Sequence, residues 1–101
     1  MVLEVALFDV RPGTEAEFAA AYRQVRQAVA GSAGCRSMRM TSGVETPSRF
    51  VLLVEWDSLD QHEAFRASER FVEWRAGIGR YFANPPQVEH FTDLEPAEHL
   101  D

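Results

Sequence analysis

The sequence predicts an α+β domain of the ferredoxin-like kind, β-α-β-β-α-β, with an antiparallel sheet covered on one face by helices. Two stretches, residues 2–10 and Arg49–Trp56, carry apolar residues on both alternating sets, the mark of central strands covered on both faces. Cys35–Ser42 is more polar and residues 87–93 are mixed, as edge strands are. Capped helical patterns follow the first and third strands. This arrangement puts the first and third strands in the middle of the sheet, so composition and topology agree independently.

Residues 2–10 set Val2, Ala6, Phe8 and Val10 on one face and Leu3, Val5 and Leu7 on the other. Arg11-Pro12-Gly13 is a turn. Thr14 with Glu17 makes a capping box, and Phe18, Tyr22, Val25 and Val29 follow as one apolar stripe opposite a solvated side. Gly31 and Gly34 end the helix and turn the chain. In Cys35–Ser42, Arg36, Met38 and Met40 alternate with Ser37, Arg39 and Thr41, and residues 43–48 form a hairpin loop into Arg49–Trp56.

Ser58 and Gln61 make a second capping box directly after that strand, with Leu59, His62 and Phe65 on one helical face. Ser68 restarts the helix, and Phe71, Trp74 and Ile78 line it until Gly77 and Gly79 weaken it. Asn84-Pro85-Pro86 breaks it before the last strand. The expected organisation is one domain over residues 1–93 and an acidic tail over residues 94–101.

Composition narrows the function. The formal charge is −6, and the ten basic residues are scattered among acids, which argues against nucleic acid or an anionic membrane as partner. Cys35 is alone, so it forms no intramolecular disulfide and no site of several thiolates; a small buried or edge-strand role fits it. The three histidines show no H-x-x-x-H or H-x-H spacing and no accompanying carboxylate pattern, so no metal is expected. No nucleophile elbow, phosphate loop or nucleotide fingerprint is present. With no basic leader and no apolar run near the ~20 residues of a membrane span, the expected location is the cytoplasm.

Both helices of this arrangement pack on one sheet face, yet the central strands present Val, Leu and Phe on both. A bare second face would exceed the apolar patch that monomers expose, so a homodimer through the sheet faces is expected. Glu4 and Glu55 are acids inside central strands. Pairing with an arginine across the sheet is the reading adopted, with a sheet-end position or a cavity and raised pKa as the alternatives.

Trp56-x-Ser58 after the third strand, His62 on the next helix, the Ser68-x-x-Phe71 restart and the closing Pro86-x-Val88-x-His90-Phe91 resemble the antibiotic biosynthesis monooxygenase superfamily over nearly the whole chain. The resemblance implies a dimeric α+β barrel. That superfamily holds cofactor-free quinone-forming monooxygenases, haem-degrading enzymes and enzymes acting on signalling molecules. The positions matching the haem degraders' asparagine, tryptophan and histidine hold Ala6, Phe65 and Arg75, which fits no haem chemistry.

The cofactor-free branch implies a dry pocket between helices and sheet for an aromatic or quinone-like small molecule. There a substrate hydroxyl loses its proton and the anion passes an electron to dioxygen, with no cofactor. On this resemblance Tyr22, Trp56, Phe65, Trp74 and Phe91 supply walls, His62 or His90 accepts the proton, and Arg39 or Arg75 stabilises the phenolate. The alternative is a non-catalytic dimer of the same fold that binds a small ligand or serves a structural role. The rings suit core packing as well as pocket walls. His62 suits a satisfied buried hydrogen-bonder as well as a base, His90 faces a pocket or the dimer interface, and His99 lies in the solvated tail.

Overall fold

The structure is a computed structural model that describes residues 1–98 and 100. The chain runs β1 (Val2–Asp9), α1 (Glu15–Ala30), β2 (Cys35–Ser42), β3 (Arg49–Trp56), α2 (Leu59–Arg66), α3 (Glu69–Ile78), a 3-10 turn over Gly79–Tyr81 and β4 (Gln87–Phe91). The sheet order is β2-β3-β1-β4, antiparallel throughout. This is the expected ferredoxin-like arrangement, with its second helix split in two. The two-sided apolar strands are the central pair.

The strand period of two separates the sheet into distinct faces. Glu4, Ala6 and Phe8 of β1 and Phe50, Leu52, Val54 and Trp56 of β3 are buried beneath the helices. Leu3, Val5, Leu7, Val51 and Leu53 point to the other side and stay half-buried at the open face. Phe18 of α1, fully buried, centres the core, with its ring 4.6 Å from Phe50 and edge-on to Tyr81 at 6.2 Å. Burial of such a ring contributes about 1.5–3 kcal/mol.

Local chemistry explains where the elements stop. Ser58 accepts the Gln61 N–H at 3.3 Å, as the capping-box pattern predicts, so α2 leaves β3 within two residues. Leu59, in the first turn, faces outward, while His62 and Phe65 face the core. Ser68 adopts an extended backbone and its hydroxyl donates to the Phe65 carbonyl at 2.5 Å, which separates α2 from α3. Thr14 does not cap α1 as expected. Its ψ of 12° is not the extended geometry a capping side chain needs, and its hydroxyl donates back to the Arg11 carbonyl at 2.6 Å.

Gly34, at φ +84°, makes the turn into β2 in a conformation that other residues adopt at a cost, and its carbonyl accepts the Asp57 N–H at 2.8 Å. β4 ends at Phe91, short of the expected Asp93, because Leu3 opposite it is close to the start of β1 and the partner strand runs out. No helix among the described residues is long and apolar enough to cross a membrane. His99 lies outside the described residues.

Candidate functional site

The site begins with a carboxylate where the fold wants an apolar side chain. Glu4 occupies an inward position of central β1 and is 7% exposed. Its register partner on β3 is Val54, while on β4 it faces His90 directly. Residues opposite one another in an antiparallel pair share a face, so His90 also points toward the helices. Trp56 ends β3 on the same side, and the Ser58 cap starts α2 so that His62, one turn in, lies over Trp56.

These four side chains form one connected set. The Trp56 indole Nε1–H donates to Glu4 Oε1 at 2.9 Å, and His62 Nε2 lies 3.3 Å from the same oxygen. His62 Nδ1 meets His90 Nε2 at 2.6 Å. The His62 ring stacks on Trp56 with centroids 5.0 Å apart and 17° between planes, which fixes its orientation. The groups do not converge on a common point, because the two nitrogens of His62 serve different neighbours. Among the described residues no group of three His, Cys, Asp or Glu is placed to hold a metal ion.

Burial sets the protonation states. Desolvation pushes the Glu4 carboxyl up, against the Trp56 hydrogen bond and the positive charge of Arg66, which pull it down. Desolvation, then His90, then Arg66 push the His62 imidazole down to about 4. His62 is therefore neutral at physiological pH and carries one ring proton. With Glu4 ionised, that proton is favoured on Nε2, which faces the carboxylate at 3.3 Å, and leaves Nδ1 to accept from His90 Nε2–H. Neither arginine expectation for the strand acids holds. Glu4 accepts from the Trp56 indole and lies against the His62 imidazole, since its inward face meets the core side of α2, and Glu55 accepts from the Ser37 hydroxyl at 2.7 Å.

Glu4 and His62 form the acidic and basic wall of a cavity of about 130 Å3 between the sheet and α2 and α3. Ala6, Phe65, Phe71 and Trp74 supply its apolar and aromatic lining, and Val88 stands at the β4 side. Two cations, Arg66 and Arg75, complete it. The Arg75 guanidinium carbon lies 5.9 Å from the Phe71 ring centroid.

The residues expected from sequence fall into three groups. His62, Phe65, Trp74 and Arg75 meet at the cavity, with His90 joined to it through His62. Trp56 and Tyr22 stand behind its walls; Tyr22 packs edge-on to Trp74 at 6.1 Å. Arg39 and Phe91 are elsewhere. They pair with Leu53 and Leu3, and the strand period carries both to the open face. Sequence reasoning missed Arg66 as a member of the site, and it held the cavity position of Glu4 only as an alternative to pairing with an arginine. The signal for Glu4 was an acid on the inward alternation of a central strand, which a pairing assumption obscured.

Comparison with known proteins bears on this geometry. The family model for antibiotic biosynthesis monooxygenase matches residues 1–77, a span that includes Glu4, His62 and Arg75 and stops before His90. The uncharacterized protein YczJ of Bacillus subtilis (strain 168) is 37% identical over 95 residues, covering 93% of this chain and 100% of that one. A crystal structure of a Bordetella bronchiseptica protein assigned to the antibiotic biosynthesis monooxygenases is 38% identical, with a TM-score of 0.88 over 93% of this chain and 97% of that one. A mutant form of SnoaB, a cofactor-independent oxygenase from Streptomyces nogalater, shares the fold, with a TM-score of 0.83 and 97% of each chain covered at 17% identity.

Proposed function

The chain belongs to the antibiotic biosynthesis monooxygenase family, and on that premise we propose that it is a cofactor-independent monooxygenase of a planar aromatic or quinone-like small molecule. One observation carries the proposal. A cavity walled by Phe65, Phe71 and Trp74 has its proton-handling groups, Glu4 and His62, gathered on one side and a guanidinium, Arg75, among its other lining groups. Flat apolar walls hold a planar ring and exclude water. The acid–imidazole side handles the proton of a substrate hydroxyl, and Arg75 stabilises the anion that remains.

Without a cofactor the electrons come from the substrate. The anion gives one electron to dioxygen, and the resulting radical pair couples at carbon to a hydroperoxide that loses water. Over the cycle one CH2 of the substrate's keto form becomes C=O, a four-electron oxidation, while dioxygen gains four electrons. One oxygen atom stays in the carbonyl and the other leaves as water. Phe65 and Trp74 serve as walls, Trp56 and Tyr22 hold them in place, and His62 with His90 sets the protonation of the polar side. Residues 1–93 hold every group this requires.

The same proposal includes a homodimer through the sheet faces. Leu3, Val5, Leu7, Val51 and Leu53 form an apolar face that no element among the described residues covers, and Arg39 and Phe91 border it. The test of the activity is oxygen uptake with a panel of anthrones and hydroquinones, comparing wild type with His62→Ala and His90→Ala. Uptake with at least one substrate, reduced in both variants, is the expected result. Tight binding with no oxygen uptake by the wild type would mark a non-catalytic binder and overturn the enzyme.

A further inference from the structure

Within this site we infer that Glu4 is the group that takes the substrate's proton, and that His62 and His90 are positioning residues that hold it. The inference rests on the monooxygenase proposal above and narrows it. Its basis is a count of free lone pairs at the cavity wall. His62 lines the cavity, but its Nδ1 is hydrogen-bonded to His90 at 2.6 Å and its Nε2 faces the Glu4 carboxylate at 3.3 Å. Stacked on Trp56, the ring cannot turn either nitrogen toward a ligand without breaking those contacts. His90 does not line the cavity.

Glu4 does line it, and both of its protein contacts fall on a single oxygen, Oε1. A carboxylate has room for further hydrogen bonds at its second oxygen. Of the cavity's other charged groups, Arg66 and Arg75 are obligate donors, and Cys35, whose thiol feels the Glu4 charge, is not among the lining residues. Among the described residues that line the cavity, Glu4 is thus the carboxylate with an uncommitted oxygen for the proton of a bound hydroxyl. In the step, the substrate O–H bond breaks and its electron pair stays on the substrate oxygen. The proton bonds to a Glu4 carboxylate oxygen and returns to the peroxide oxygen that leaves as water.

The structure also says what the histidines contribute. His90 meets His62 Nδ1 at 2.6 Å, and the neutral His62 ring rests against the Glu4 carboxylate, 3.3 Å from Oε1, without placing a full charge beside it. Desolvation raises the basicity of Glu4, Arg66 on α2 moderates it, and His62 and Trp56 orient it. A buried acid tuned upward in this way sits nearer the pH at which a general base operates.

The experiment reads ionisation apart from oxidation. Under anaerobic conditions, anthrone and naphthohydroquinone are titrated into wild type, Glu4→Gln and His90→Ala, following the absorbance of the bound anion across the neutral pH range. Wild type is expected to bind and ionise the probe. Glu4→Gln, which keeps an acceptor for Trp56 and His62, is expected to bind within about threefold but leave the probe neutral, and in air to lose about 100-fold or more in kcat with little change in KM. His90→Ala is expected to ionise the probe with its pH profile displaced. Nitrogen NMR of the imidazoles in the free protein should show His62 bare at Nδ1, with its shifts moving in Glu4→Gln.

Full ionisation by Glu4→Gln overturns the role of Glu4 and leaves the monooxygenase proposal standing. Failure of wild type to bind either probe overturns that proposal and the Glu4 role with it. A free-protein spectrum in which His62 ignores Glu4→Gln overturns the positioning role of the histidines.

Discussion

Gly77 of α3 lies so close to Val25 of α1 that a Cβ on it would stand 2.5 Å from Val25 Cγ1. Two of the three helices that close the core over the sheet, α1 and α3, therefore meet at a point where only hydrogen fits. Gly77→Ala gains about 1 kcal/mol of helix propensity and meets overpacking that costs about 1–3 kcal/mol. A net loss of about 1 kcal/mol in urea denaturation is expected. Adding Val25→Ala should recover part of the overpacking cost, since the two positions are in contact.

Trp56→Phe tests the indole bond to Glu4 while keeping the stack on His62. The lost donor leaves a buried carboxylate oxygen short of a partner, at a cost of about 1–3 kcal/mol at neutral pH. Because the indole bond pulls the Glu4 carboxyl down, its removal lets that carboxyl rise further. A protonated Glu4 needs the donor less, so the loss should shrink as the pH falls. Denaturation curves of both proteins at neutral and mildly acidic pH provide the check.

His62 predicts a pH dependence with a defined sign. Its pKa falls from an ordinary value of 6.5 to about 4 in the fold. Between those values the unfolded chain binds a proton that the folded chain refuses, so the His62 contribution is complete above about pH 6.5 and declines as the pH drops toward 4. Glu4, raised in the fold, acts oppositely: its contribution is complete below the unfolded value of 4.5 and is lost as pH rises through its folded value. The stability of wild type minus that of His62→Gln, followed across this window, isolates the histidine. A difference that stays flat contradicts the burial effect.

Leu53→Arg places a charge at the middle of the open face, opposite Val5 on the neighbouring strand. Its side chain points away from the cavity, so pocket binding by the folded monomer is spared. Light scattering should show wild type at twice the monomer mass at micromolar concentration and the variant at monomer mass. A monomeric wild type at that concentration rules out the sheet-face dimer.

Much of the fold is legible in the sequence because its signals are local or periodic. Two-sided apolar alternation marks β1 and β3 as central, and the Ser58 capping box predicts the abrupt start of α2. Thr14 misleads because the same residue pattern also suits a side chain turned back to Arg11. The site is less legible because it depends on register. His62 and His90 stand 28 residues apart, and they meet only because β4 pairs Glu4 with His90 across the edge of β1. Phe91, one residue further, looks equally suited to a pocket and falls on the opposite face for the same reason. The partner of Glu4 is hard to read because an acid in an apolar strand suggests a cation, whereas an indole N–H holds it here, beside a neutral imidazole.

The alternation of β1 has a consequence for how such a protein can change. Glu4, Ala6 and Phe8 serve the cavity, and Leu3, Val5 and Leu7 serve the outer face, interleaved along one eight-residue strand. Point substitutions can reshape the cavity without touching the outer face, or the reverse, since neighbours in sequence point to opposite sides of the sheet. A one-residue insertion or deletion within the strand would exchange the two sets at once. Diversification at β1 is thus open to replacement and closed to changes in length, and libraries that vary alternate codons should alter one property at a time.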